Sequence, residues 1–417
     1  MRGTFRGVFV PLLLLVLAAL TAGVVAYGTN AVWAQFPHGI EAIVWSRRLE
    51  WPLVTLCLIL CIVLLALIVS GKRRAWWLIG LGPVLALFVH RFVTDPAGGM
   101  TVLDNPNFVA STEASDLTDE DYVVGLQFGD AAYAYPYAVL FEDPVVLQSD
   151  HEKRLILMWS PFANRAVAQT INREIKARDL EIVSMPANAL LLYNRANGQF
   201  VNGLKGQLPD GHKPIGFGNP VVASTMTWRQ WRELNPQTKV MRGDGRRTNS
   251  AQPPPHEPIL PLNPMPPAIL DYPANSSIVL VGTVQPAAVK SEQVGPDPLR
   301  LQVDREPVFI FRDAPGMPVK AFSCYLKKQE LFPRFRLDFE HKYKGAMFID
   351  SDTGSGWSAA GTWVGGLKEY RKEFAGTRLA PVPVQDHLYW GVMKFWYPEL
   401  KLVTAQQDEG PSVTSGS

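Results

Sequence analysis

Cysteine is almost missing from this chain. Of its 417 residues only three are cysteine: Cys57 and Cys61 lie in one apolar run, and Cys324 stands alone in the polar part. No intramolecular disulfide can tie the polar part together, although such bridges are common outside the cytoplasm. Cys57 and Cys61 share a helix face at i, i+4, but no further ligands accompany them, so they read as small packing residues rather than a metal or redox site. Net charge is also small, +2 from 40 basic and 38 acidic residues, and no basic stripe is present, which argues against a nucleic-acid partner.

Recognisable catalytic patterns are missing too. Ser160 has Asp150 and His151 nearby but sits in no G-x-S-x-G elbow, and Asp150-His151-Glu152 reads as a polar turn before a strand. His212, His256, His341 and His387 fall into no metal-ligating spacing, and Glu340-His341 lacks the second helical histidine of a zincin. Gly203, Gly206, Gly211, Gly216 and Gly218 are too loosely spaced for a phosphate loop, and hairpin duty explains them. The expectation is a protein with no metal and no cofactor.

Long apolar runs are abundant, and they gather in the first 93 positions. Trp51 to Ser70 passes without a formal charge, and about 20 helical residues match the roughly 30 Å of bilayer hydrocarbon. Residues 8–27 follow Arg2 and Arg6; they are a cleaved signal peptide or a first span, and the lack of a small-x-small cleavage site favours an uncleaved anchor. Residues 75–93 are just long enough for a third span if His90 and Arg91 snorkel, with Pro83 as a kink. Thr29 to Glu50 carries Trp33, Phe36, Trp45, Arg47 and Arg48, as a short helix lying along the membrane interface would. Arg2, Arg6 and the Lys72-Arg73-Arg74 cluster mark cytoplasmic ends by the positive-inside rule. The expectation is a multi-pass protein of the inner (cytoplasmic) membrane, N-terminus inside and C-terminal region extracytoplasmic.

After residue 100 the texture changes to strand-sized runs: 122–128, 154–159, 189–193, 277–284, 307–312 and 346–350, separated by Gly, Pro, Asn and Asp. This predicts a β-rich (α+β) soluble region. A proline-rich linker over 251–273 divides it, and residues 406–417 have the composition of a disordered tail. The basic-aromatic stretch 330–345 predicts a long hairpin with one solvated face. Residues 100–250 and 274–405 follow the same order: strand, Asn/Asp-Gly turn, strand, then a Trp-bearing helix ended by Pro. Trp228 precedes Pro236 and Trp390 precedes Pro398 by the same interval. The two stretches read as diverged copies of one repeat.

DYVVGLQFGDAAYAYPYAVL (121–140), WSPFA (159–163), LLYNRANGQF (191–200) and TWRQWRELNPQTKVM (227–241) resemble a bacterial family, the domain of unknown function 3179. The second copy resembles it through DSDTGSGW (350–357), AGTRLAPVPV (375–384) and YWGVMKFWYP (389–398). The resemblance implies an AYPL-like stretch, a His-Glu pair, an Asn-Asp pair and a Tyr-Cys-Pro-Leu-Cys run, a set suited to thiol redox or metal binding. At the matching positions this chain has Asp143, Pro144, Leu147, Gln148, Ser160 and Ala163, and the comparable turn of the second copy, 312–316, also lacks cysteine. The resemblance therefore implies the scaffold without its dithiol.

The expected function is a membrane-anchored extracytoplasmic binding or assembly module, an accessory subunit of a membrane complex that touches the lipid bilayer and a membrane-protein partner. Two alternatives stay open. One is an enzyme with a site between the copies, using Asp143, Asp313 or Asp350 with a histidine. The other is lipid or small-molecule binding in an aromatic groove. The aromatics concerned are Trp159, Trp228, Trp231, Trp357, Trp363, Trp390 and Trp396, for which core packing is the default.

Overall fold

A helix that is apolar all round has no face to turn toward water, and the N-terminal runs form such helices. In the computed structural model these are α1 (Arg2–Tyr27), α3 (Glu50–Val69) and α4 (Trp77–Val93), with the amphipathic α2 (Gly39–Arg48), which carries Glu41, Arg47 and Arg48, between the first two. The structure describes residues 2–70, 76–94, 99–243, 256–263, 271–282, 286–303, 305–326, 333–366 and 374–403, with side chains from residue 9. The 71–75 basic cluster, the 406–417 tail and most of the proline-rich linker lie outside the described residues. Phe9–Tyr27 and Glu50–Val69 are long and apolar enough to cross a membrane, with mean hydropathies of 2.6 and 3.2. The third helix has 17 residues, about 26 Å, which is shorter than the expected 75–93 segment. Ala18 and Ala22 of α1 are buried against Cys57 and Val84, and the Cys57 thiol donates to the Ala18 carbonyl at 3.4 Å. Small side chains let these helices approach closely, which is the packing role expected of Cys57.

The α2 segment differs from a helix lying only along a membrane. Its Ile43 is fully buried among Val183, Leu191 and Phe200 of the β-rich region, and Arg47 and Arg48 lie over the rings of Tyr193 and Phe200 at 5.2 and 5.5 Å. Arg47 turns toward protein because two carboxylates await it there, as described below.

The first half of the β-rich region contains β1 (Val102–Asp104), β2 (Phe108–Ala110), β3 (Tyr122–Phe128), β4 (Ala131–Pro136), a short α5 (Tyr137–Leu140), β5 (Val145–Asp150), β6 (Lys153–Ser160) and β7 (Arg165–Ile171). It continues with β8 (Leu180–Ser184), β9 (Leu191–Asn194), β10 (Gln199–Asn202), β11 (Phe217–Val221), β12 (Ala223–Thr227), α6 (Trp228–Leu234) and β13 (Lys239–Met241). The second half contains β14 (Ser277–Val281), β15 (Ala287–Lys290), β16 (Leu299–Val303), β17 (Glu306–Arg312), β18 (Val319–Ser323) and β19 (Phe335–Leu337). β20 (Phe348–Asp350), β21 (Gly356–Trp357), β22 (Trp363–Gly365), β23 (Val384–Tyr389) and α7 (Trp390–Trp396) complete it.

The sheet orders are β1-β5-β6-β7-β11, β10-β9-β8 and β12-β3-β4-β13-β2 in the first half, and β15-β14-β23, β16-β17-β18 and β19-β20-β21-β22 in the second. β5, β6 and β7 supply the largest core with near-continuous apolar runs, as strands covered on both faces do. Gly125 in β3 has a local reason: a β-carbon there would overlap the Trp231 indole that α6 lays across the strand. A further core joins the halves, with Ala163, Ala187, Ala189 and Leu204 packed among Ile278, Leu280, Leu388, Trp390 and Met393.

Of the long hairpin expected over 330–345 the described residues give one short arm: Phe335–Leu337 is strand and pairs antiparallel with Phe348–Asp350 of β20, and Asp338 accepts from the backbone N–H groups of Lys342 and Tyr343 in the turn between them. Residues 330–332 lie outside the described residues.

Candidate functional site at the seam of the two halves

The turn in which the resembling family places its cysteines lies where the halves meet. β6 ends at Ser160, a single 3-10 turn covers Pro161–Ala163, and Asn164 follows in the left-handed region at φ 51°. Ser160 and Ala163 are fully buried, and the Ser160 hydroxyl accepts the Leu190 N–H at 3.2 Å. Asn164 reaches across the seam: its amide donates to the Asp386 and His387 carbonyls at 3.4 and 3.2 Å, and its carbonyl accepts the Tyr137 hydroxyl at 2.5 Å.

The facing residues sit on a bulge. Between the pairs Leu280–Gln385 and Ile278–Leu388, β23 places Asp386 and His387 opposite one residue of β14, and His387 adopts φ 59°. A bulge re-aims side chains, and here it turns the Asp386 carboxylate inward. Asp386 accepts from the Arg312 guanidinium at 2.7 Å, from the Ser291 hydroxyl, and from the His387 N–H at 2.7 Å. Arg312 also donates to the Met317 carbonyl at 2.9 Å. Gln385 donates to the carbonyls of Ala166 and Ala223 and accepts the Ala166 N–H, so its amide stitches the halves as a backbone pair would. Burial first, and then the Asp386 charge, raises the pKa of Tyr122 above the usual phenol value. Burial raises Tyr137 still further, so its hydroxyl stays protonated and serves as a donor.

Ser291, His387 and Asp386 resemble the parts of a nucleophilic triad but not its order. In a triad the imidazole stands between hydroxyl and carboxylate. Here Ser291 bonds Asp386 directly, Arg312 takes the other oxygen, and His387 Nε2 lies 3.6 Å from that same oxygen with its side chain 41% exposed. The Asp386 carboxylate that holds Ser291 is itself paired with Arg312, and with the Asn164 amide on the Asp386 carbonyl this arrangement locks the two halves together.

The carboxylates singled out from sequence have separate partners. Asp143 is buried and accepts the Thr101 hydroxyl. Asp313 pairs with Lys320 at 2.6 Å on the rim of the turn after β17. Asp350, 1% exposed, accepts the Thr353 hydroxyl at 2.6 Å and backbone N–H groups of Arg334, Asp352 and Thr353, which organise the β20–β21 turn. Asp313→Ala is therefore expected to cost less than about 1 kcal/mol, as partly exposed pairs do. Asp350→Ala is expected to cost about 2–3 kcal/mol by orphaning buried donors. Thermal unfolding of the two variants checks that order.

Trp159, Trp228, Trp357 and Trp390 are at most 1% exposed, and Trp231 and Trp396 are buried as well, so these indoles fill cores and line no groove. Trp396 also bridges the seam, donating to the Ala187 carbonyl at 3.3 Å. Of the histidines, His256 pairs with Asp121 at 2.8 Å and His212 is exposed beside Asp210. No group of three or more side chains able to hold a metal ion occurs among the described residues.

The profile of a family described as a protein of unknown function, DUF3179, matches residues 98–400, through both halves and across the seam. The chain belongs to the DUF3179 family. It matches no curated protein and no solved structure. The DUF3179 region thus begins just after the last apolar helix and includes the seam lock.

A second buried cluster escaped the sequence reading. Glu50, at the start of α3, pairs with Arg47 at 2.7 Å and with Arg91 of α4 at 2.6 Å. Arg47 also binds Glu181 of β8 through two nitrogens, at 2.6 and 3.1 Å, and Arg195 meets Glu181 at 2.8 Å. Burial works against both Arg47 and Glu181, but their mutual hydrogen bonds and charges outweigh it: the Arg47 pKa rises and the Glu181 pKa falls below the usual carboxylate range. Basic residues beside an aromatic run were legible as interfacial; their acidic partner 134 positions away was not.

Proposed function

We propose that this DUF3179 protein is a membrane-anchored, extracytoplasmic binding or assembly module, an accessory subunit that holds its β-rich region at a fixed pose on the membrane. In this reading α1, α3 and α4 are three spans, the N-terminus is cytoplasmic, and the partners are the bilayer and another membrane protein. One observation carries it: the ion chain from Arg91 through Glu50, Arg47 and Glu181 to Arg195 joins apolar helices to the β-rich region. A tether would need no such chain; a module that presents a surface at a set height and angle would.

The reading includes duplication of the β-rich region, and matched backbone pairings support it. β12 pairs antiparallel with β3 as β23 does with β14, and β13 runs parallel to β4 as Leu402 does beside Ala288. Trp228 and Arg229 donate to the carbonyls of Asp121 and Asp119, and Trp390 and Gly391 donate to those of Ser276 and Ala274. A duplicated scaffold whose reactive positions hold Ser160, Ala163 and Arg312 suits holding rather than chemistry.

Membrane preparations washed at alkaline pH should retain the chain until detergent is added. Mild-detergent extracts should then yield it with a stoichiometric partner. Release by the wash, or a monodisperse lone monomer from native membranes, would count against the reading.

A further inference from the structure

We propose that the cleft between β7, the 205–213 loop and the β14–β23 edge binds a small soluble oxyanion of the phosphate class. This deepens the binding reading above by naming what one surface of the module takes. The cleft has a volume of about 270 Å³ and is open to both halves, with Leu280, Gly282 and Gln385 on one wall. That is roughly the share of nine liquid waters, suited to a small metabolite and not to a polymer.

Its charge is one-sided. Arg165, Lys205 and Lys213 line it, and among the described residues the lining contains no carboxylate. This is unusual in a chain whose basic and acidic residues nearly balance, 40 against 38. The Arg165 side chain is buried and held in place: it donates to the Leu204 carbonyl at 2.9 Å and to the Tyr397 hydroxyl at 3.4 Å. Lys205 lies with its ammonium 4.9 Å from the Tyr397 ring centroid, and burial lowers its pKa. Gathered cations without counter-charge repel one another, and an oxyanion removes that repulsion while accepting charge-assisted hydrogen bonds.

The test uses the full chain in detergent. Inorganic phosphate and glycerol phosphate are titrated by calorimetry, with Lys205→Gln and Lys213→Gln as variants whose melting is measured alongside. Saturable binding of both phosphate and glycerol phosphate, weakened about tenfold by each variant and falling with added salt, is the expected result. Lys213 lies in an exposed loop, so its variant should keep the native melting point even if Lys205→Gln does not. No saturation by about 10 mM, or binding untouched by Lys213→Gln, overturns the proposal. Displacement of phosphate by an anionic phospholipid in bicelles at lower concentration than glycerol phosphate overturns the soluble source. Anchoring is read separately: membrane retention without phosphate binding sinks the cleft alone, and phosphate binding by a chain released in the wash sinks the anchor alone.

Discussion

Arg47→Ala is expected to destabilise the protein by about 3–5 kcal/mol, because it removes the charge-assisted hydrogen bonds to both Glu50 and Glu181 and leaves each with a single arginine, Arg91 and Arg195. The Arg47 and Glu50 side chains are each only 10% exposed, so water cannot replace the lost partner. In detergent the unfolding midpoint should fall by about 5–10 °C. Arg47→Lys should recover only part of this, since an ammonium cannot bind Glu181 through two nitrogens in one plane. The pH dependence has a definite sign. The folded pKa of Glu181 is depressed, so its contribution is fully present above the unfolded carboxylate value, about 4.3, and is lost as pH falls through the lower folded value. Stability should therefore hold from neutral pH to about pH 5 and drop below it, and Glu181→Gln should lower the plateau and flatten the acid limb. An Arg47→Ala midpoint equal to that of the native chain would mean that the ion chain does not hold the helices to the β-rich region.

Asp386→Ala should be as damaging, again by about 3–5 kcal/mol, through a different fault. The Arg312 and Asp386 side chains are 9% and 7% exposed, and the guanidinium would be left inside the seam with a lone carbonyl acceptor. Ser291 and the His387 N–H lose their acceptor at the same time. Asp386→Asn keeps hydrogen-bonding capacity but not charge, so its loss should be intermediate. The double variant Arg312→Met, Asp386→Leu should recover much of the stability, because removing both charges leaves neither uncompensated. Denaturant unfolding of the native chain, Arg312→Met, Asp386→Leu and the double variant gives the coupling directly. Additive losses would mean that the pair is not a unit.

The parts of the fold written in local pattern were legible before the structure. The strands at 122–128, 154–159 and 307–312 form within a residue of their apolar runs, and the Trp-bearing helices end before Pro236 and Pro398. Membrane-crossing length was legible for 51–70 for the same reason. What was hidden is the pairing of distant charges. Arg312 ends an apolar strand and Asp386 lies inside β23 between Gln385 and His387, and neither residue type announces the other. Only the bulge at Asp386–His387 brings them together, and a bulge leaves no periodic trace. The same applies to Arg47 and Glu181. The 330–345 stretch was legible in part: β19 is one arm of a hairpin, but its partner β20 lies beyond the stretch, and Asp338 holds the turn between them.

The account rests on where the β-rich region lies relative to the membrane. The direct measurement is labelling by a membrane-impermeant thiol reagent in intact cells, with the three native cysteines replaced and a single cysteine placed at His212 or at Arg73. His212, with its side chain 79% exposed, should label in intact cells when changed to cysteine. The same change at Arg73 should label only after lysis. Labelling at Arg73 with protection at His212 would contradict the account and assign the β-rich region to the cytoplasm.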